Sequence, residues 1–387
     1  MAETNPRRLK GHKATATCCI ASRHTPGLLL TTAEDGCVCW FDMRCKDVVH
    51  TMEVANEPLS SICFKSGNEN VIYVSSGKEV KSFDVHLANE LKPLETYDYN
   101  KEEINQIACN HKSSFLAAAD DGGDVKINFM HLHYRVESFL RRKMNSVSGG
   151  LDSKLVMWDF SKGRPHKIVD FALHDNNGGN TGQCFNPAFI HAIAVPDIDM
   201  LDKSGKICTV ARGDGVVDVI DIESELAVIK SKTSTGSQRG SQNRSKNKSR
   251  TPDAENSEQN GRKRLHLDYT LGGHTAAVSC VAFSLFGGRG KFIVSGGNDK
   301  SVKVWDWSRY LDTEQTTSST NVLPFNINLT KKVNWLCTTP TESENLVITD
   351  DRLRKSFHLN LEVLLDVNVK FAEVITDTVA AWPANDL

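Results

Sequence analysis

Short apolar runs alternate with tight polar turns along this chain, and the runs themselves alternate with a period of two. Val71 to Asp84 shows the unit: an apolar run, a turn at Gly77, then Val80-Lys81-Ser82-Phe83-Asp84. Phe115 to Phe129 repeats it through Ala117-Ala118-Ala119-Asp120-Asp121 and Val125-Lys126-Ile127-Asn128. Ile207 to Asp221 does so through Thr209-Val210-Ala211-Arg212-Gly213-Asp214 and Val217-Asp218-Val219-Ile220-Asp221, and Leu346 to Phe357 is a degraded last copy. Each predicts a β-hairpin, because alternation places one side-chain set on each face and Gly or Asp accepts the turn.

Three further copies are sharper. One runs from Gly11-His12 through Thr31-Thr32-Ala33-Glu34-Asp35-Gly36 to Phe41-Asp42. Another runs from Gly273-His274 through Val294-Ser295-Gly296-Gly297-Asn298-Asp299 to Trp305-Asp306. A third, Val147 to Trp158-Asp159, repeats the second half of that unit. Gly-His followed by Trp-Asp in units of about 40–45 residues resembles the WD40 repeat. That resemblance implies an all-β, seven-bladed WD40 β-propeller, a ring without free sheet edges. The expectation is a single propeller over residues 9–362, with a C-terminal tail at 363–387.

The resemblance also implies that His274, Ser295, Asp299 and Trp305 form a buried hydrogen-bonded tetrad with a structural role. The first copy has His12, Thr31 and Asp35 but Phe41 in place of the Trp, and the copy at 147–159 has Ser148, Asp152 and Trp158 without a His. Unit ends fall at Asp42, Asp84, Phe129, Asp159, Asp221 and Asp306, and the step from Phe129 to Asp159 is the shortest. Between Phe139-Leu140-Arg141-Arg142 and Ser148 there is no room for a turn and two strands, so the fourth blade is roughly 15 residues short. A segment skipped in the source transcript or a genuinely reduced blade would each account for this.

Charge changes the picture little: 46 Lys+Arg against 48 Asp+Glu give a net −2, which excludes nucleic-acid binding by bulk positive charge. Segment 230–264 is the exception. It is polar, rich in Lys and Arg, and ends in Arg262-Lys263-Arg264. Such a composition cannot offset chain entropy by burial, so a disordered loop between blades five and six is expected. It reads as a nuclear-import signal, a weak nucleic-acid contact or a solvated loop. Polar stretches at 174–180 and 309–321 are further loops. No apolar run approaches the length of a membrane span and the N-terminus has no signal-peptide core. Eleven Cys without a disulfide framework point to a reducing compartment, the nucleus or cytoplasm.

Candidate chemistry is sparse. Phe286-Gly287-Gly288-Arg289-Gly290-Lys291 lacks the spacing and the Ser or Thr of a phosphate loop and reads as a turn. Cys37 and Cys39, near Cys45, Cys18 and Cys19, lack the spacing of a zinc site. His131 and His133 have no third ligand in sequence. The chain is therefore expected to be no enzyme, to have no cofactor or metal, and to act as a monomer that binds proteins.

One tetrapeptide is informative. Phe41-Asp42-Met43-Arg44 ends a strand with aromatic-Asp-x-Arg. This resembles the box by which many WD40 proteins dock on the adaptor of cullin-4 ubiquitin ligases, although the family uses Trp or Tyr before the Asp. The resemblance implies that Asp42 fixes the strand end and Arg44 projects toward the adaptor, while another face holds an unknown substrate. A strand-end salt link, or a solvated Arg, is the plainer reading of the same residues. Phe83-Asp84-Val85-His86 is a weaker version, and the Trp158 and Trp305 copies lack the Arg.

Overall fold

Alternation becomes strands in the computed structural model, which describes residues 7–45, 47–87, 92–109, 115–129, 145–159, 162–173, 184–196, 206–226, 264–286, 289–307, 325–341, 345–350, 371–375 and 378–381. After β1 (Arg7–Leu9), the first sheet is β2 (Ala16–Ala21), β3 (Leu28–Ala33), β4 (Cys37–Asp42) and β5 (Val48–Glu53). The second is β6 (Leu59–Lys65), β7 (Asn68–Ser76), β8 (Glu79–Asp84) and β9 (Glu95–Tyr97). The third holds β10 (Ile104–Cys109), β11 (Phe115–Asp120) and β12 (Val125–Phe129); the fourth holds β13 (Asn145–Gly149), β14 (Lys154–Asp159) and β15 (Arg164–Asp170).

The fifth sheet is β16 (Ile190–Ala194), β17 (Ile207–Arg212), β18 (Val217–Asp221) and β19 (Arg264–Leu267). The sixth is β20 (Val278–Phe283), β21 (Phe292–Gly297), β22 (Ser301–Asp306) and β23 (Phe325–Asn328). The last contains β24 (Val333–Thr338), β25 (Leu346–Asp350), β26 (Phe371–Ile375) and β27 (Thr378–Ala381), with β1 at its edge. The middle strand β21 is buried along its whole length, because the sixth sheet is covered on both faces by its neighbours. Outer strands such as β5 keep an alternating, half-exposed pattern.

The first strands of six sheets stand side by side in the order β10, β6, β2, β24, β20, β16. All six share one irregularity. A bulge skips one residue opposite the second strand, at Thr17, Ser60, Asn105, His191, Ser279 and Asn334. Each skipped residue is polar, as suits a side chain turned out of the ladder. Thr17 donates to the Leu59 carbonyl of the next sheet at 2.6 Å, and Ser279 donates to the Val333 carbonyl in the same way. Apolar clusters fill the junctions between sheets one and two, two and three, four and five, five and six, six and last, and last and first.

Seven complete blades are not what the described residues show. They make a ring of six inner strands, because the fourth sheet begins at β13, which corresponds to the second strand of the others, and the third ends at β12. Their junction has no apolar cluster among the described residues. Residues 130–144, which join β12 to β13 in sequence, lie outside the described residues.

The expected boundaries also change. β26 lies parallel to β25 and β27 pairs antiparallel to β26, while β1 pairs with both. Residues 371–381 thus contribute strands to the last sheet where a tail was expected. Sheet structure extends from Arg7 to Ala381, beyond 9–362 at both ends.

Candidate docking turn and the polar cores behind it

β4 ends at Asp42, and its carboxylate organises the turn that follows. Oδ1 accepts from the backbone N–H of Arg44 at 2.9 Å, and the Asp42 carbonyl accepts from Cys45 N–H at 2.8 Å. Met43 N–H donates to the Gly27 carbonyl at 2.7 Å, tying the turn to the β2–β3 loop. Such an Asx turn is what a strand-end Asp supplies. Asp84 accepts from His86 N–H at 2.8 Å in the same fashion, whereas Asp221 accepts from Ser224 N–H, three residues on, at 3.0 Å. The turn thus recurs in the second sheet, and the Arg two residues on distinguishes the first.

Arg44 folds back as a fork. Its Nε donates to Asp42 Oδ1 at 2.9 Å and its Nη2 to Oδ2 at 2.7 Å, yet the side chain stays 78% exposed. Phe41 and Met43 on either side of Asp42 are buried. The strand-end salt link and the projecting Arg are thus one arrangement. An exposed ion pair adds little stability. What it does is hold a planar donor group in one orientation, lowering the ordering cost of contact with a partner.

The tetrad residues come together in the sixth sheet. Trp305 Nε1 donates to Ser295 Oγ at 2.9 Å, and Ser295 Oγ lies 2.8 Å from His274 Nε2. His274 Nδ1 lies 3.0 Å from Asp299 Oδ1. Asp299 also accepts from Thr275 N–H at 3.0 Å and from Ser301 Oγ at 2.8 Å. One proton arrangement satisfies the chain: indole to hydroxyl, hydroxyl to Nε2, Nδ1–H to carboxylate. Burial holds His274 below the usual imidazole value, against the pull of Asp299. Asp299 sits at about 2, burial notwithstanding, because His274, Ser301 and Thr275 N–H bond its charged form.

Partial versions stand elsewhere. His12 reaches Thr31 Oγ1 at 2.6 Å and Asp35 Oδ1 at 3.2 Å, with Phe41 in the Trp position. Trp158 Nε1 donates to Ser148 Oγ at 2.8 Å.

The fifth sheet replaces this device with charges, which the sequence reading missed. Arg212 donates to Asp218 at 2.7 Å and pairs with Asp214, and His266 bonds the other oxygen of Asp218. The Arg212 guanidinium also stacks on Phe171 of the fourth sheet, 4.9 Å from the ring centroid. Asp218 is fully buried; burial would raise its pKa, but Arg212 and His266 hold it at about 2. The bond to Asp218 lifts His266 above the ordinary value. Charged residues in a strand of otherwise apolar alternation, Asp218 above all, were the available signal.

Arg264 is the first residue of β19, and its Nε donates to buried Glu225 at 2.7 Å. It therefore belongs to the fold, a correction to the loop boundary at 264; Arg262, Lys263, the remainder of 230–264, and the stretches 174–180 and 309–321 lie outside the described residues. His131 and His133 do as well. Among the described residues no three His, Cys, Asp or Glu stand together to hold a metal. The segment from Phe286 to Lys291 joins β20 to β21, and its Gly290 carbonyl accepts from Trp307 Nε1 at 2.9 Å. No helix among the described residues is long and apolar enough to cross a membrane.

Comparison with known proteins agrees with this geometry. Residues 266–306 match the WD40 family, described as WD domain, G-beta repeat. The chain carries a WD40 repeat on a β-propeller fold. A curated relative, the WD repeat-containing protein 53 homolog of Dictyostelium discoideum, is 26% identical over 247 residues, 56% of this chain. That match spans 65% of the relative's length. Among solved structures, the crystal structure of the WD40 beta propeller domain of Doa1 superposes with a TM-score of 0.60. It is 12% identical and covers all of this chain and 98% of that one, which shows the shared fold alone. WD40 propellers are generally non-enzymatic scaffolds that bind protein partners.

Proposed function

We propose that this propeller is the substrate receptor of a cullin-4 ubiquitin ligase, docking on the ligase adaptor through Asp42 and Arg44. The observation that carries the reading is the forked Arg44 guanidinium, held in place by Asp42 and open to solvent at the end of β4. Arg is favoured in such contacts because one rigid fork makes several hydrogen bonds. The opposite end of the sheets is left for a protein substrate. Exposed Leu151, Leu173 and Phe185 there supply apolar area of the kind protein contacts use. A seven-bladed ring with an abnormally short fourth blade belongs to the same proposal. So does a nuclear and cytoplasmic location, with Arg262 and Lys263 as part of an import signal and no stable hold on nucleic acid.

Co-purification with the adaptor tests it. Wild-type protein should recover the adaptor, and Arg44→Ala should lose most of it. Equal recovery of both removes the role of Arg44. Other stable partners without any adaptor would make the chain a scaffold outside the ligase.

A further inference from the structure

We propose that Cys19 and Cys337 are a redox-modified pair, joined as a disulfide by peroxide so that the seam between the first and last sheets becomes covalent. Cys19 lies on β2 and Cys337 on β24, the first strands of the sheets that close the ring. Their sulfurs are 3.4 Å apart. A disulfide needs about 2.05 Å, so a shift of little more than an ångström joins them. Both side chains belong to the same seam cluster with Leu9, Leu29 and Val347. The residues are 318 apart in sequence. A bond between them closes nearly the whole propeller into one loop, where a cross-link restricts the unfolded chain most.

Access sets the order of events. Cys19 is fully buried, and burial pushes its thiol well above the ordinary value, so it is no first target. Cys337 is only half-buried. Its sulfur attacks hydrogen peroxide, breaking the O–O bond, forming an S–O bond and releasing water. The Cys19 sulfur then displaces hydroxide from that sulfenic acid, and the Cys19 proton leaves with it as a second water. Two thiols lose two electrons, one peroxide gains them, and no free thiolate persists in the apolar cluster. Thiol reductants reverse the bond.

Peptide mapping of the folded full-length chain after mild hydrogen peroxide treatment and alkylation tests the pair. A peptide linking the Cys19 and Cys337 segments is expected, two hydrogens lighter than its parts and lost on reduction. The thermal midpoint should rise by about 2–5 °C on oxidation. Cys19→Ala and Cys337→Ala should each abolish the link and the rise, while Cys18→Ala keeps both. Free or over-oxidised Cys337 without the link, in protein whose circular dichroism is unchanged, overturns the proposal. So does a link that persists in Cys19→Ala and vanishes in Cys18→Ala.

Discussion

The Trp305 indole donates to the Ser295 hydroxyl at 2.9 Å, and Trp158 repeats this bond on Ser148 at 2.8 Å. The same pair of strands thus carries the same polar contact in the sixth and fourth sheets. Only the sixth continues through a His and an Asp, because the first strand that would bring the His is missing from the described fourth sheet. Ser295→Ala should cost about 1–3 kcal/mol in urea unfolding, since it leaves both the Trp305 N–H and His274 Nε2 unpaired in a buried site. Thr31→Val in the first sheet strands only His12 and should cost less.

Stability should fall on both sides of mild acidity, for opposite reasons. His274 is depressed in the fold, so its contribution is full above the unfolded value near 6.5 and declines as pH drops below it. Asp218 and Asp299, both held at about 2, contribute fully above 3.8 and lose that contribution as pH falls toward 2. His266 is raised, so its contribution is full below 6.5 and is lost as pH rises through its folded value. Urea midpoints measured against pH should show the alkaline decline in wild type and not in His266→Gln.

Trp335 packs against three junction clusters at once, those between the sixth and last, last and first, and first and second sheets. At the equivalent place the first and sixth sheets carry Cys18 and Cys280. One large side chain thus fills space left by small ones. Trp335→Ala should destabilise the ring by about 3 kcal/mol, and Trp335→Phe by less, as read by thermal unfolding.

Glu225 and Arg264 pin together the two ends of the polar segment between β18 and β19. Replacing residues 227–263 with a short Gly/Ser linker should leave the thermal midpoint unchanged. Arg264→Ala should lower stability by about 1–3 kcal/mol, because Glu225 is buried and keeps, among the described residues, only Lys167 as a counter-charge.

What could be read from the sequence was local and repeated. The strand ends at Asp42, Asp84, Asp159, Asp221 and Asp306 were legible because each closes an alternating run, and His274 with its partners because the residue types recur at fixed spacing. The shortage expected around residues 139–148 falls largely outside the described residues. The charged group was not: Arg212 meets Asp218 six residues on and Asp218 meets His266 48 residues on, across the polar segment. Nor were the bulged residues from Thr17 to Asn334, whose polarity looks like ordinary strand alternation. The strands at 371–381 escaped notice because their pairing depends on β1 and β25, far away in sequence.

The docking turn is the claim on which the function rests, and the affinity of the purified chain for the purified ligase adaptor tests it most directly. Arg44→Ala should leave unfolding within about 0.5 kcal/mol of wild type while weakening adaptor binding by roughly tenfold or more. Wild-type affinity in a folded Arg44→Ala protein would contradict the account.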